Sequence, residues 1–566
     1  MDTIVMNSQF DVIIIGSGIS GGWAAKEFCE KGFKTLVIER GRQVKHLEDY
    51  PTAMKHPWEF EMGGKTPDRI KEENPVVSRC YAFNETTAHF FAKDKEHPYQ
   101  QSKPFDWIRA YQVGGKSLLW ARQVQRWSNT EFTSPKRDEY ASDWPIRYKN
   151  IAPWYSHVEK FIGVSGNLDG LEEVPDGEFL KPWEMNAMEK HLQKKIQTHF
   201  PERTPVIGRC AHLTEMKDTF TAQGRNQCQA RTLCERGCPF GAYFSSNAST
   251  LPWAEKTGNL TLLTDTLVES LDYDTKSKKV KGVNTVNRFT KQRQQFSARC
   301  VFVNAATINT NVILMNSVSE RFPNGLGNDN GRLGKYLAFH NYRGNITAKF
   351  KGLQNSYYFG RRPTAIMMPS YRNVKKQDMP FKGGYMVFYS AVREGWTKQV
   401  EGVQFGKEYR KKIEKPGQWS VYMMMQGETL PIAQNQVRLS KQKDQYGIPQ
   451  ADLDVSYTEN DELMLSDFLS EGKAMLEKGG CEQINAYDTK QAPGLDIHEM
   501  GGVAMGEDPN SSLLNAFNQM HLCANVFVTD GACMTSTGTK NPSLTFMALT
   551  ARAAHYAMEQ LKENKI

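Results

Sequence analysis

Three cysteines stand close together in a chain whose other cysteines are mostly isolated. Cys228, Cys234 and Cys238 form a C-x5-C-x3-C-P run, and soft thiolates at such short spacing suit an iron–sulfur cluster or zinc. The closing Cys-Pro is typical of iron–sulfur runs, whereas zinc sites use C-x2-C pairs. A disulfide framework is a poor alternative because most other cysteines stand alone. Iron–sulfur, zinc and unliganded thiols therefore stay open, with Cys210 as a candidate fourth ligand.

A glycine-rich turn near the start of the chain has the residues needed to hold a dinucleotide. Its G-x-G-x-x-G pattern runs Gly16, Ser17, Gly18, Ile19, Ser20, Gly21. Gly16 permits a tight turn, Gly18 lets the backbone approach a pyrophosphate, and Gly21 lets helix and strand pack closely. The N-terminus of the following helix offers free N–H groups to the phosphates. The alternative is a glycine-rich turn without a ligand.

An acidic residue stands at the spacing that a ribose contact requires. Glu39 lies 18 residues beyond Gly21, at the end of a strand predicted over 34–38. A carboxylate in this place accepts hydrogen bonds from a ribose. The position supports dinucleotide binding, but the motif alone does not separate NAD from FAD.

The elements around these residues predict an α/β fold, α+β overall. Apolar runs at 12–15 and 300–306 have the length and β-branching of buried parallel strands. From residue 341 onward, short strands and a helix at 461–478 indicate an antiparallel sheet with helices. The predicted organisation is a Rossmann-type domain at 1–340 with a surface excursion at 43–104 and a Cys-rich insertion at 209–242, an inserted antiparallel-sheet substrate domain at 341–492, and a return to the first domain at 493–566.

Composition excludes several classes of protein. The 566 residues carry 71 basic and 63 acidic side chains without a long run of one sign, and no stretch resembles a nucleic-acid module. No run of 18 apolar residues exists, so no membrane span is expected. Residues 1–9 lack the basic and apolar regions of a signal peptide.

The end of the chain holds two residues whose roles the pattern leaves open. His498 alone could be a buried, satisfied histidine. Asn541 before Pro542 predicts an N-cap and first position for the last helix. That helix is expected to bury one face, formed by Leu544, Met547, Ala548, Ala551 and Ala554.

Taken together, these motifs resemble the glucose–methanol–choline (GMC) oxidoreductase family, which binds FAD. The resemblance covers the first third and the last fifth of the chain well and the middle loosely. It is carried by the glycine-rich turn with ERG at 39–41, VGGKSLLW at 113–120, SDWPIRYKNIAPWYSHVEKFIGVSG at 142–166, FVNAATINTNVILMNS at 302–317 and the stretch 498–549.

The resemblance implies a Rossmann-type FAD-binding domain and a set of cofactor-binding residues. Relatives that bind flavin covalently have a histidine where this chain has Leu119, which implies non-covalent FAD. The expected cofactor-binding residues are Gly16, Ser17, Gly18, Ser20, Gly21, Glu39, Arg40, Gly114, Gly115, Ser117, Val268, Ala305, Asp530, Gly531, Pro542 and Ser543.

The resemblance also implies the chemistry. His498 and Asn541 fall on the family's paired catalytic positions: a histidine can accept the proton of a hydroxyl while a hydride leaves the carbon, and Asn541 can donate a hydrogen bond to the same oxygen. The helix at Pro542 would point its positive end at the flavin. Gln426 is a candidate substrate contact, with a core or surface position as the alternative.

Some bacterial sugar dehydrogenases of this family carry a three-iron cluster in a similar insertion, which implies Cys228, Cys234 and Cys238 as its ligands. The expectation is a dehydrogenase similar to glucoside 3-dehydrogenases that oxidises a sugar or glycoside and serves a cytochrome-like acceptor. A small export subunit would take it to the periplasm; a cytoplasmic enzyme is the alternative. An oxygen-using oxidase, an electron-transfer flavoprotein without organic substrate and an NAD-dependent enzyme are the rival functions.

Overall fold

The computed structural model describes residues 4–356, 362–394, 405–414 and 417–566, with side chains from Phe10 onward. The predicted α/β fold is confirmed. The described strands are β1 (Ile4–Ile15), β2 (Thr35–Ile38), β3 (Gln100–Gln101), β4 (Val164–Ser165), β5 (Phe179–Leu180), β6 (Val206–Ile207), β7 (Leu260–Leu263), β8 (Thr266–Asp274), β9 (Lys279–Asn287), β10 (Arg293–Val303), β11 (His340–Asn341), β12 (Gly344–Phe350), β13 (Ile366–Met368), β14 (Tyr385–Arg393), β15 (Trp419–Glu428), β16 (Gln436–Lys443), β17 (Pro449–Asp454), β18 (Glu482–Asp488), β19 (Gln519–Met520) and β20 (Cys523–Val528).

Eleven described α-helices surround these strands. They are α1 (Ile19–Glu30), α2 (Asp68–Glu73), α3 (Asn129–Arg137), α4 (Tyr148–Ile162), α5 (Ala187–His199), α6 (Asp218–Ala222), α7 (Thr250–Glu255), α8 (Thr307–Asn316), α9 (Gly406–Glu414), α10 (Glu459–Lys478) and α11 (Ser543–Lys562). None of these helices is both long and apolar enough to cross a bilayer.

The central sheet positions the glycine-rich turn. Its strand order is β19-β20-β10-β1-β2-β7, and the hairpin β8-β9 extends it through β10. Strand β1 runs parallel to β2 and β10, so that Ile14 pairs with Val37 on one side and Phe302 on the other. Both faces are covered, and residues 12–15 are almost fully buried, which explains their continuous apolar run. The turn after β1 therefore lies at the carboxyl edge of the sheet, where α/β proteins bind ligands.

A second, largely antiparallel sheet is built mainly from residues after 340. Its order is β18-β12-β15-β14-β13-β6, with β11 beside β15. Apolar residues of α5 and α10 share one core with these strands. Strand β6 comes from earlier in the chain and closes the far edge, so this sheet is not formed by one continuous segment.

The segment 43–104 is more than a surface excursion. It contains one short α-helix and three single-turn 3-10 helices. Its apolar side chains, among them Val77 and Phe90, form a core together with Leu118 and Leu119. This segment thus supports the wall that carries the VGGKSLLW motif.

The start of the last helix differs from the prediction. Helix α11 begins at Ser543 with Pro542 as its N-cap, and no side chain caps it. The predicted N-cap role of Asn541 is therefore wrong, because the chain enters the helix one residue later than the Asn-Pro pattern indicates. The predicted buried face is confirmed, and most of the helix is buried besides.

Candidate active site

A cavity of about 350 Å³ lies at the carboxyl edge of the central sheet. Its lining comes from the turn after β1, residues 115–123, the start of α8, residues 496–499 and residues 541–546. Segments distant in sequence therefore meet at one site, which also includes Tyr342 from the loop after β11.

The glycine-rich turn leaves an open cradle at one end of this cavity. A Cβ at Gly16 would lie 2.4 Å from the Asn304 carbonyl oxygen, and one at Gly21 only 1.8 Å from the Gly16 oxygen. By contrast, a Cβ at Gly18 would meet no atom within 4 Å. Gly16 and Gly21 thus serve backbone packing, while Gly18, the N-cap of α1, leaves the space that a pyrophosphate requires.

Glu39 lies beside this cradle, fully enclosed. Its carboxylate accepts hydrogen bonds from the backbone N–H of Ser17 (3.2 Å), the Ser17 hydroxyl (2.6 Å) and the backbone N–H of Gly41 (2.9 Å). Burial raises the pKa of Glu39, and these three donors oppose that rise. A buried carboxylate fixed in this way suits the recognition of ribose hydroxyls.

Most of the sequence-predicted cofactor residues meet at the cavity. Gly21 and Gly114 do not line it; Gly114 instead donates its N–H to the Ser17 hydroxyl (3.0 Å) and so joins the two turns. Leu119, in place of a linking histidine, also lines the cavity. The predicted residues that line it are Gly16, Ser17, Gly18, Ser20, Glu39, Arg40, Gly115, Ser117, Val268, Ala305, Asp530, Gly531, Pro542 and Ser543.

His498 lines the cavity in contact with a second histidine that the sequence did not reveal. His340 and His498 approach through their Nδ1 atoms at 2.8 Å, and Nε2 of His340 lies 2.9 Å from the Gly538 carbonyl oxygen. A carbonyl oxygen can only accept, so Nε2 of His340 carries its proton and Nδ1 is an acceptor. His498 then donates from its own Nδ1. Its Nε2 is left unprotonated and bonds to no described residue.

The surroundings keep both imidazoles neutral. Burial lowers the pKa of His340 to about 4. Burial also lowers the pKa of His498 well below its ordinary value, and the positive charge of Lys116 acts in the same direction. His498 is therefore a free base at neutral pH, with its lone pair on Nε2.

Asp496 holds the backbones of the two histidines in place. Its Oδ2 accepts the backbone N–H of His340 (2.9 Å) and of His498 (3.1 Å). Because burial is the dominant effect, the pKa of Asp496 rises to about 7. The Asp496 carboxyl group thus holds together two backbone segments, one that carries His340 and one that carries His498.

Asn541 lies in the same cavity with an unused hydrogen-bonding group. Its Oδ1 is buried and has no partner among the described residues. Tyr342 lines the same cavity, and its ring centroid is 5.9 Å from that of His498. Free of the capping role, the Asn541 amide is available to a ligand.

The predicted substrate residue Gln426 does not line the cavity. It is fully buried, accepts a hydrogen bond from the Tyr342 hydroxyl at Oε1 and donates one from Nε2 to the Thr539 carbonyl at 2.8 Å. Gln426 therefore occupies a core position, which was the alternative to a substrate contact. Gln426 therefore orients Tyr342, which is itself part of the lining.

An ion pair at the rim was also missed by the sequence. Lys116 and Glu499 both line the cavity, and Lys116 Nζ lies 2.9 Å from Glu499 Oε2. The other carboxylate oxygen, Oε1, is buried without a partner among the described residues. Lys116 stands inside the VGGKSLLW motif, so its place in that motif was the signal that could have identified it.

The cysteine run lies near this cavity but is not gathered around a single point. Cys228, Cys234 and Cys238 are partly buried free thiols. Among the described residues, only two other groups bring three ligand atoms within 4.8 Å of one another, so these side chains do not form a one-ion site as they stand. Cys210 is fully buried, with Sγ 3.2 Å from the Ser165 hydroxyl.

A buried arginine lies beside the cysteine run. Arg225 is fully buried and bonds to the carbonyls of Gly241 and Ile162 and to Gln223; its Nη2 has no partner among the described residues. Burial lowers the pKa of Arg225 to about 9, and Cys238 opposes that shift. A buried guanidinium of this kind fits a negatively charged group held by the thiolates.

Comparison with known proteins bears on the whole chain. Residues 101–342 and 431–550 match the two parts of the family described as GMC oxidoreductase. The fructose dehydrogenase large subunit of Gluconobacter japonicus is 24% identical, covering 98% of each chain. The 2-methyl-1,2-propanediol dehydrogenase of Mycolicibacterium austroafricanum is 26% identical, covering 98% of this chain and 96% of its own. The fold also matches the crystal structure of pyridoxine 4-oxidase from Mesorbium loti, at 15% identity and a TM-score of 0.60 over 97% of this chain and 99% of that one.

Proposed function

The chain belongs to the GMC oxidoreductase family of FAD-dependent enzymes that act on CH–OH groups, and on that premise we propose that it is a dehydrogenase of a sugar or glycoside, similar to glucoside 3-dehydrogenases. The observation that carries this proposal is the His340–His498 pair beside Asn541, in one cavity with the dinucleotide cradle. A pure electron carrier has no need of an alcohol base.

The histidine pair supplies the proton transfer. Bound FAD, held without a covalent link, would supply the acceptor for the hydride of the substrate C–H bond. Nε2 of His498 takes the proton of the hydroxyl, and the neutral state of His498 makes it ready to do so. His340 keeps the other ring nitrogen protonated and directed away from the substrate.

The asparagine and the last helix complete the site. Asn541 donates an amide N–H to the hydroxyl oxygen and so fixes the orientation of the C–H bond. Pro542 and Ser543 bring the positive end of α11 to the cavity, where it would favour negative charge on a bound cofactor. Lys116 adds a positive charge to the lining.

A sugar or glycoside is the substrate class that we favour. One relative bears the name of a fructose dehydrogenase, and the polar groups of the lining, among them the Glu499 carboxylate with its unpaired oxygen, can bind several hydroxyls at once. A small monohydric alcohol would use only the His498–Asn541 end.

We further propose that Cys228, Cys234 and Cys238 hold an iron–sulfur cluster of three-iron type. The thiolate donor set and the unpaired Arg225 charge fit such a group, and Arg122, which interacts with Cys234, lines the cavity. The cluster would carry single electrons to a cytochrome-like acceptor protein. A small export subunit and a periplasmic location belong to the same proposal.

Anaerobic flavin reduction is the test of the substrate. Purified protein is mixed with glycosides, free sugars and simple alcohols while the flavin absorbance is recorded, with His498→Ala as the control. Sugars or glycosides should bleach the flavin, and the control should not respond on the same timescale. Bleaching by simple alcohols alone would reject the substrate class.

The same sample tests the cofactor and the acceptor. Acid precipitation should release yellow flavin into the supernatant, since Leu119 offers no atom for a covalent link; flavin in the pellet would contradict this. Reoxidation by an artificial acceptor should be much faster than by oxygen. Fast reoxidation by oxygen would identify the rival function, an oxidase.

A further inference from the structure

A cluster of metal-ligating side chains lies on the helical side of the central sheet, away from the cavity. Glu27 of α1, His157 of α4 and His555 of α11 place their ligand atoms within 4.8 Å of one another. The Glu27 side chain is 2% exposed, whereas His157 and His555 are 38% and 35% exposed. A buried carboxylate thus forms the floor of a site that opens to solvent between two imidazoles.

The contacts have the arrangement of a three-ligand site. Nε2 of His157 lies 2.7 Å from Glu27 Oε1, and Nε2 of His555 lies 3.0 Å from Glu27 Oε2. Ligands bound tetrahedrally at zinc distances lie about 3.3 Å apart, so opening of a few tenths of an ångström would admit the ion. Both histidines already present the same ring nitrogen to the centre.

The surrounding side chains hold the imidazoles in this orientation. The Trp154 ring packs edge-on against His555, with centroids 4.9 Å apart, and against His157 at 6.1 Å. Trp23 also packs edge-on against His157, with centroids 6.0 Å apart. The donors are therefore oriented by packing on three helices, which reduces the cost of ordering them for an ion.

We propose that Glu27, His157 and His555 form a binding site for a divalent first-row transition metal, for which zinc is the best match, with water in the remaining position. Two imidazoles and one carboxylate are the donors of known zinc sites, and they exclude magnesium and calcium as preferred ions. Neither the flavin chemistry nor the proposed iron–sulfur cluster uses these residues.

Lys26 is a neighbour of Glu27 whose charge opposes a cation. Its Nζ lies 3.2 Å from Glu27 Oε1, but also 2.8 Å from Glu30 Oε2 and above the Phe161 ring at 4.6 Å. Glu30 and the ring can retain Lys26 when the metal takes Glu27. Removing the Lys26 charge should therefore strengthen metal binding.

A bound ion would connect α4 to two helices, α1 and α11, that begin at the cofactor site. Helix α1 begins at the glycine cradle, and α11 begins beside Asn541. Because the ion binds the folded protein and not the unfolded chain, it stabilises the fold in proportion to its affinity. The expected effect is on the stability of the FAD-binding half, without a change in the chemical step.

Calorimetric titration of the holoprotein with zinc chloride, after removal of loosely bound metal with a chelator, tests the site. One site per chain should be found, together with a rise in melting temperature on adding zinc. Glu27→Gln, His157→Ala and His555→Ala should each weaken binding about 100-fold or more, and Lys26→Gln should tighten it.

Two controls separate this site from other zinc ligands. His191→Ala changes a partly buried histidine of α5 that bonds to the Gly479 carbonyl, and Cys234→Ser changes the cysteine run; neither should alter the titrated site. Zinc binding lost in Cys234→Ser but kept in His157→Ala would overturn the proposal. So would absence of binding in the unaltered protein, or equal affinity in the unaltered and His157→Ala proteins.

Discussion

The histidine cavity and the cysteine run differ in how far the polypeptide alone completes them. In the cavity, the Gly538 carbonyl fixes the tautomer of His340, and through it the free nitrogen of His498. Around the cysteines, by contrast, the three thiols are not gathered at one point and Arg225 retains an unpaired nitrogen. In the histidine cavity, protein groups fix the protonation of both rings. The cysteine run instead offers thiolate ligands and the positive charge of Arg225 to an iron–sulfur cluster.

The largest expected effect is on flavin reduction, when His498 is removed from the histidine cavity. His498→Ala should slow flavin reduction by substrate about 10²- to 10⁴-fold, because a general base is lost, while FAD stays bound because the cradle at Gly18 is untouched. Stopped-flow absorbance under anaerobic conditions measures both. His521→Ala, a histidine bonded to Ser512 away from the cavity, is the control and should reduce its flavin normally. An unchanged rate in His498→Ala would make that histidine structural.

Loss of a cysteine from the cysteine run should slow electron transfer to the acceptor and leave substrate oxidation intact. Cys234→Ser should leave flavin reduction by substrate nearly unchanged but slow electron transfer to a cytochrome-like acceptor by about tenfold or more, since the thiolate ligand is lost. Iron content and the turnover with an artificial acceptor are measured on the same sample. Cys481→Ser, far from the run in sequence and buried, is the control. Purified protein without iron, or a Cys234→Ser protein that passes electrons to the acceptor at the rate of the unaltered protein, would contradict a cluster at the cysteine run.

The tautomer argument makes a third, smaller prediction. His340→Ala removes the Nδ1 acceptor, so that His498 can adopt either tautomer, and kcat should fall about 10- to 10²-fold with little change in KM. His340→Gln, whose amide oxygen can accept from His498, should restore part of the loss. A purely structural role for His340 would lower the yield or melting temperature of both variants without this difference between them.

The sequence predicted those site residues whose spacing along the chain is set by one local structural unit, and not those that only the tertiary fold brings together. The turn from Gly16 to Gly21 and Glu39 were predictable because one βαβ unit fixes their spacing. His340 and Tyr342 were not singled out, because β11 and the second sheet bring them to His498 across 158 and 156 residues of sequence. Lys116 entered the sequence analysis only as part of the VGGKSLLW motif. The N-cap role assigned to Asn541 failed since capping and ligand-facing asparagines have the same local pattern; the burial of its Oδ1 could not be inferred from sequence.

This correction changes what Asn541 variants should do. Because Asn541 does not cap α11, Asn541→Ala should not incur the cap loss of about 0.5–2 kcal/mol, and its melting temperature should stay close to that of the unaltered protein. Flavin reduction should still slow, by about tenfold, through poorer orientation of the C–H bond. Calorimetry and stopped-flow kinetics on one preparation separate the two effects. A destabilised but equally fast variant would restore the capping role.

The smallest expected effect is a shift of pH dependence at the first site. Lys116 lowers the pKa of His498 by charge repulsion, in addition to burial. Substrate oxidation needs neutral His498, so the rate falls as the pH drops through that lowered pKa.

Lys116→Gln removes the repulsion and leaves Glu499 without its cation. Both changes raise the pKa of His498, so the acidic limb of the pH–rate profile should move to higher pH. The limb in kcat/KM reports the free enzyme and should shift by a fraction of a unit, while Lys160→Gln, at an exposed pair with Glu178, should not move it. A shift to lower pH would mean that Lys116 does not act on His498 through its charge, and the electrostatic account of the neutral base would fall with it.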